Sequence, residues 1–139
     1  MKKVLVSACL LGQNCKYSGG NNRNERVLAF VKDKEVIPVC PELEAGLGVP
    51  RNPVEIVGGH LQDRQGNSVD EAVRKTVEAI LGRIADEEIE CAVLQSRSPT
   101  CGCKQVYDGT FSKTLIPGAG VFAQALMDAG IPVIDSGDL

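Results

Sequence analysis

The sequence predicts an α/β chain: a single-domain, three-layer Rossmann-like fold with a mainly parallel sheet of about four strands plus a small hairpin. Three observations point there. Short apolar, β-branched runs alternate with segments of helical periodicity. The 139 residues have the length of one ordinary domain, and no repeat, low-complexity tract or linker divides them. Hydrophobic residues make up 43% and charged residues 24%, a composition that can bury a core and argues against disorder. Residues 1–139 are therefore read as one domain.

The elements follow in order. "KVLVS", residues 3–7, is a buried strand, followed by a Gly/Asn-rich loop through Asn24. "ERVLAFVKD" places Val27, Leu28 and Val31 on one helical face. "EVIPVC" is a second strand, set at a sheet edge because Pro38 lacks the N–H a central ladder needs. "PVEIVGGHLQD" is a hairpin turning at Gly58-Gly59. Ser68 and Glu71 have capping-box spacing, and Val73, Val77, Ile80, Leu81 and Ile84 then repeat along a long amphipathic helix. "ECAVLQS" is the third main strand. After a long irregular stretch, "AGVFAQALMDAG" is a helix ended by Gly130, and "IPVID" is a last strand.

Composition also bounds function. The net charge is −3, from 15 basic and 18 acidic side chains, which argues against tight non-specific nucleic-acid binding. "MKKVLVSACLLGQNC" superficially looks like a signal peptide, but Ser7 and "GQNC" break its apolar run at the length of a strand plus a turn. No window approaches the roughly 20 apolar residues of a membrane span. The expected location is the cytoplasm, where thiols stay reduced. The six cysteines then point to metal or catalysis more than to disulfides.

Their placement is informative. Cys9 follows the first strand, Cys40 ends the second, and Cys101 lies in the loop after the third. In a parallel sheet all three emerge beyond the same carboxyl edge, where such folds bind ligands. Three converging thiolates form a soft site suited to zinc, copper(I) or an iron–sulfur cluster. Paired Cys-x2-Cys spacing, common in structural zinc sites, does not occur; "CGC" at 101–103 has one intervening residue. The competing reading is that cysteines serve as small buried hydrophobes, the role expected of Cys91.

Four stretches, "SACLLGQNCKYSGG", "VCPELEAGLGVPRNP", "LQSRSPTCG" and "DGTFSKTLIPGAGVFAQAL", together resemble a small bacterial domain known as DUF523, whose members are described as TudS-type thiouracil desulfidases. The resemblance covers essentially the whole chain. It implies a 4Fe–4S cluster held by three cysteines, with the fourth iron open to take sulfur from a thiolated pyrimidine. The implied ligands are Cys9, Cys40 and Cys101, which agrees with the strand-end argument. Cys15 falls near the site but outside that ligand set, and Cys103 lies outside the matching core. The implied reaction is hydrolytic: sulfur of a 4-thiouracil-like substrate coordinates the open iron, water attacks the carbon, and uracil and sulfide result.

Glu42, two residues after Cys40, is the candidate base, and Ser98 the candidate to orient substrate or relay protons. Each has a plainer role, Glu42 as a solvated carboxylate and Ser98 as a turn residue before Pro99. Ser7, Lys16 and Tyr17 are the candidates to touch substrate. "CKYSGG" departs from an expected Arg-Tyr-Asp-like sequence, since Lys16 lacks the guanidinium fork and Ser18 lacks a carboxylate, which bears on substrate preference. Thr100 stands where serine is expected and keeps the hydroxyl. Arg51 and Arg97 are placed to meet an anion, negative cluster charge or an ion-pair partner. "PGAG" could open an anion-binding helix N-terminus or serve turn geometry alone. His60 is expected at the surface, and Tyr107 and Phe111 either stack a base or pack locally.

A noncatalytic metal- or sulfur-binding module used in storage or sensing is the alternative. Glu42 and Ser98 beside the cysteine motifs favour catalysis over it. A thiol-only redox protein is a third reading, weakened by the missing Cys-x2-Cys. The expected partner is a small thiolated pyrimidine, with no membrane and no stable nucleic-acid complex. Thiolated RNA stays open, and the sequence does not speak to oligomeric state.

Overall fold

The computed structural model describes residues 2–139. β1 (Lys3–Ser7), β2 (Glu35–Val39), β5 (Ile89–Leu94) and β8 (Val133–Asp135) form one four-stranded sheet in the order β2-β1-β5-β8. Every pairing in it is parallel. β2 lies at an edge, as Pro38 requires.

Strand alternation divides the core between two faces. Leu5, Val39, Ala92 and Leu94 pack against α3 (Asp70–Ile84) and α4 (Val121–Asp128). Val4, Val6, Cys91 and Val93 pack on the other side against Leu10 and against Val27 and Val31 of α1 (Glu25–Val31). The three layers follow directly. α3 buries Val73, Val77, Ile80 and Ile84, while Leu81 is only half-buried. Each fully buried aliphatic side chain of this kind contributes about 1.5–3 kcal/mol. Cys91 is buried within this packing, the role expected for it.

The hairpin of β3 (Val54–Val57) and β4 (His60–Asp63) turns at Gly58 (φ 58°) and Gly59 (φ 84°), the positive angles that a two-residue primed turn demands. α1 starts at Asn24, whose side chain accepts from the N–H groups of Arg26 and Val27.

The capping box at Ser68 and Glu71 does not form. α3 begins at Asp70 with Val69 as its cap residue, and no side chain caps it. Ser68 Oγ instead donates to Leu61 O (3.5 Å) and accepts a long 3.4 Å bond from Asp70 N. The carboxylate of Asp70 ties the helix to the hairpin by accepting from Leu61 N at 3.0 Å. The irregular stretch after β5 contains a second hairpin, β6 (Gln105–Tyr107) with β7 (Leu115–Pro117). A four-residue helix, α2 (Pro41–Glu44), follows β2. Among the described residues, no helix is long and apolar enough to cross a membrane.

Candidate active site and metal centre

The carboxyl ends of β1, β2 and β5 open into one cavity of about 490 Å³. Cys9 reaches it from a 3-10 turn (Ala8–Leu11), Cys40 from the cap position of α2, and Cys101 from the loop after β5. All three line it, as the strand-end argument expects. Cys15 lines it as well, but Cys103 does not; it is half-buried and packs against the core on the α3 and α4 side of the sheet. The 101–103 pair therefore brings one thiol to the cavity. Gly102 between them sits where a Cβ would come within 2.8 Å of both Gln105 O and Ser98 O, so no larger residue fits there.

The thiols are held in low-polarity surroundings. Burial pushes Cys101 well above the ordinary thiol range, against a hydrogen bond with Ser7 that pulls it down. Burial also raises Cys9, opposed by Asn22, whose Nδ2 donates to Cys9 Sγ at 3.5 Å. Cys15 is pushed up to about 12, first by burial and then by the neighbouring Cys40. A bound cationic centre reverses this ordering, because it takes thiolates and releases their protons.

Among the described residues, no three His, Cys, Asp or Glu groups close around a point suited to one ion. The thiols line a shared cavity instead, and an iron–sulfur cluster takes its cysteine ligands on separate irons. The donor set is soft and contains no histidine. His60 is largely exposed on β4 and pairs with Asp70 (3.3 Å). The residues thus fit a thiolate-bound iron–sulfur group.

Glu42 stands in the first turn of α2, beside Cys40, and lines the cavity. Its carboxylate is engaged at both oxygens: Oε1 accepts from Arg51 Nε at 3.2 Å and Oε2 from Thr100 Oγ1 at 2.8 Å. Arg51 also donates to Gly48 O and Cys15 O, each at 2.9 Å. Of the roles open to Arg51, the structure assigns the ion pair, with both side chains nearly buried. Glu42 is therefore not a solvated carboxylate.

Ser98 Oγ accepts from Thr100 N (3.1 Å) and Cys101 N (3.0 Å). The turn role is real, and it leaves the hydroxyl proton to donate at the cavity wall. Ser7 is buried at the end of β1, and its Oγ accepts from Gln95 N at 3.0 Å. Lys16 and Tyr17 line the cavity, with Tyr17 45% exposed. Arg97 also lines it, with φ at 63°.

The "PGAG" segment makes no anion site. The first N–H groups of α4 are already taken, Val121 N by Pro99 O and Phe122 N and Ala123 N by Thr100 O. The glycine serves close packing, since a Cβ on Gly120 would lie 2.5 Å from Thr100 O. Gly120→Ala is accordingly expected to cost about 1–3 kcal/mol by overpacking. Thermal unfolding checks it, and an unchanged Tm would show that the loop gives way freely.

The family described as 2-thiouracil desulfurase matches residues 4–138. The chain belongs to that family. It is also 34% identical over 146 residues to the uncharacterized protein YbbK of Bacillus subtilis (strain 168), covering 98% of this chain and 97% of that protein. A solved structure described as the 4Fe–4S-dependent thiouracil desulfidase TudS superposes with a TM-score of 0.92 at 32% identity, over 100% of this chain and 93% of that one. The family resemblance and the α/β fold read from the sequence both hold.

Within this desulfurase-family fold, sequence reasoning overlooked several cavity residues: Asn22, Glu55, Arg64 and Lys113. Glu55 alone left a signal, as an acidic residue inside the apolar run "VEIV". The contact of Thr100 with Glu42 spans 58 positions, and no local pattern announces it.

Proposed function

We propose that this chain is a desulfidase for thiolated pyrimidines, acting as a single domain with a 4Fe–4S cluster held by Cys9, Cys40 and Cys101 and one iron left open. The observation that carries the reading is the shared cavity, lined by thiols from three strand ends and by a fixed carboxylate, Glu42. Bound there, the cluster would supply a Lewis acid to polarise the C=S bond and a soft acceptor for sulfur.

The protein's own residues supply the rest. Glu42 accepts a proton from the attacking water, and Arg51 and Thr100 fix the direction of its two oxygens. Ser98 offers a hydroxyl to orient substrate or pass a proton. Ser7, Lys16 and Tyr17 line the space the substrate would enter. The reaction balances as thiopyrimidine plus water giving the pyrimidinone plus hydrogen sulfide, with no electron transfer.

The test begins with iron and acid-labile sulfide counts after anaerobic reconstitution, expected at about four of each per chain. Sulfide release is then measured from both 4-thiouracil and 2-thiouracil, since the two place sulfur on different carbons. Release from either supports the proposal. A full cluster with no release from either supports storage or sensing instead, and zinc in place of iron sinks the cluster assignment.

A further inference from the structure

The turn joining β6 to β7, residues 108–114, brings Phe111 and Lys113 to the cavity. Both hold left-handed backbone, Phe111 at φ 58° and Lys113 at φ 63°. Bulky side chains rarely adopt that region, and such residues gather where a site must be shaped. Three separate contacts hold the turn there.

Glu55, buried in β3, accepts from Gly109 N at 2.9 Å and Phe111 N at 3.2 Å, both at Oε1. Arg64 donates to Phe111 O at 3.1 Å, and its guanidinium carbon lies 5.7 Å from the centre of the Phe111 ring. Gly109 approaches β3 so closely that a Cβ would meet Ile56 O at 2.5 Å. Phe111 itself is half-buried and belongs to neither apolar core. A buried carboxylate and a strained turn thus fix an aromatic ring at the cavity wall, which packing of the core does not call for.

We propose that Phe111 is the residue that recognises the substrate's ring, stacking on a planar thiolated pyrimidine, and that Glu55 is a positioning residue that holds it there. This rests on the desulfidase reading above and deepens it by naming what the ring lies against. Tyr17 and Tyr107 also line the cavity, but Tyr17 is exposed and Tyr107 sits in the regular strand β6. Stacking of a base on an aromatic side chain is worth enough to change affinity by about tenfold or more.

The experiment uses reconstituted holoprotein. Phe111→Leu is expected to raise KM for 4-thiouracil about tenfold, with a smaller change in kcat and unchanged iron content. Phe111→Tyr should restore KM. Glu55→Gln, which keeps an acceptor oxygen, should sit between wild type and Glu55→Ala, whose KM rises in the direction of Phe111→Leu. A KM that stays at the wild-type value in Phe111→Leu, or a loss confined to kcat, overturns the proposal. If the wild type releases no sulfide, the parent reading fails, and calorimetric binding of uracil and 4-thiouracil decides the wall separately. Affinity that falls about tenfold in Phe111→Leu supports it, whereas equal affinity or none overturns it.

Discussion

Cys101→Ser is expected to leave a folded protein that takes up less than about one iron per chain, against about four in the wild type. Serine is nearly the same size, so packing around the buried position survives and the hydrogen bond with Ser7 can persist. What is lost is the soft thiolate, which a hydroxyl does not replace near neutral pH. On the proposed three-cysteine ligation, removing one thiolate would leave two irons without a protein ligand. Cys9→Ser and Cys40→Ser should behave alike, since each thiol comes from a different strand end. Cys103→Ser should keep its iron, because that side chain does not line the cavity. Cys15→Ser is the sharper control. Cys15 is buried in the cavity wall, but its carbonyl carries a structural task of its own, accepting from Arg51 at 2.9 Å, and serine preserves that carbonyl. Iron analysis with circular dichroism for the fold decides the set. Loss of iron in Cys15→Ser together with retention in Cys9→Ser, Cys40→Ser or Cys101→Ser would overturn the assignment.

Much of this arrangement could be read from local pattern. The apolar runs became β1, β2, β5 and β8, and the period of Val73, Val77, Ile80 and Ile84 became the buried face of α3. Pro38 placed β2 at an edge, and the paired glycines marked the β3–β4 turn. The cavity followed from one topological rule, since strands parallel to each other carry their following loops to the same side.

The rest fails for identifiable reasons. β6 and β7 have three residues each, too few for alternation to stand out, and "QVY" and "LIP" carry no shared signal. Capping at Ser68 was a fair local reading, but the Asp70 carboxylate joins helix to hairpin and the helix begins one residue later than a Ser68 cap would start it. The "PGAG" helix entry looked open to an anion because sequence does not reveal which carbonyls approach it; those of Pro99 and Thr100 do. The same blindness hid the pairing of Glu42 with Thr100 and left Arg51 with several roles at once.

Glu42→Gln is expected to keep the full iron content yet lose sulfide release by about 10²–10⁴-fold, the range of a positioned acid–base group. The substitution is close to isosteric, so α2 and the neighbouring Cys40 should hold their places. Glutamine's carbonyl oxygen can still accept from Arg51 Nε, and its amide nitrogen can donate to Thr100 Oγ1, so both contacts that fix Glu42 now can survive with the second reversed in direction. The charge assistance of both bonds is lost along with the basic oxygen, and the two effects must be told apart. Thr100→Val removes the hydroxyl bond to Glu42 while leaving the carboxylate, and Thr100→Ser keeps both. If Glu42 is the base, Thr100→Val should lower kcat by about 10- to 10²-fold at most, since one charge-assisted hydrogen bond is worth roughly 1.5–3 kcal/mol. Thr100→Ser should lie near wild type. Glu42→Gln should fall far below both, with KM little moved. Equal losses in Glu42→Gln and Thr100→Val would mean that the carboxylate only braces the loop carrying Cys101. Proton transfer would then have to be sought at Ser98, a hydroxyl at the cavity wall beside that cysteine.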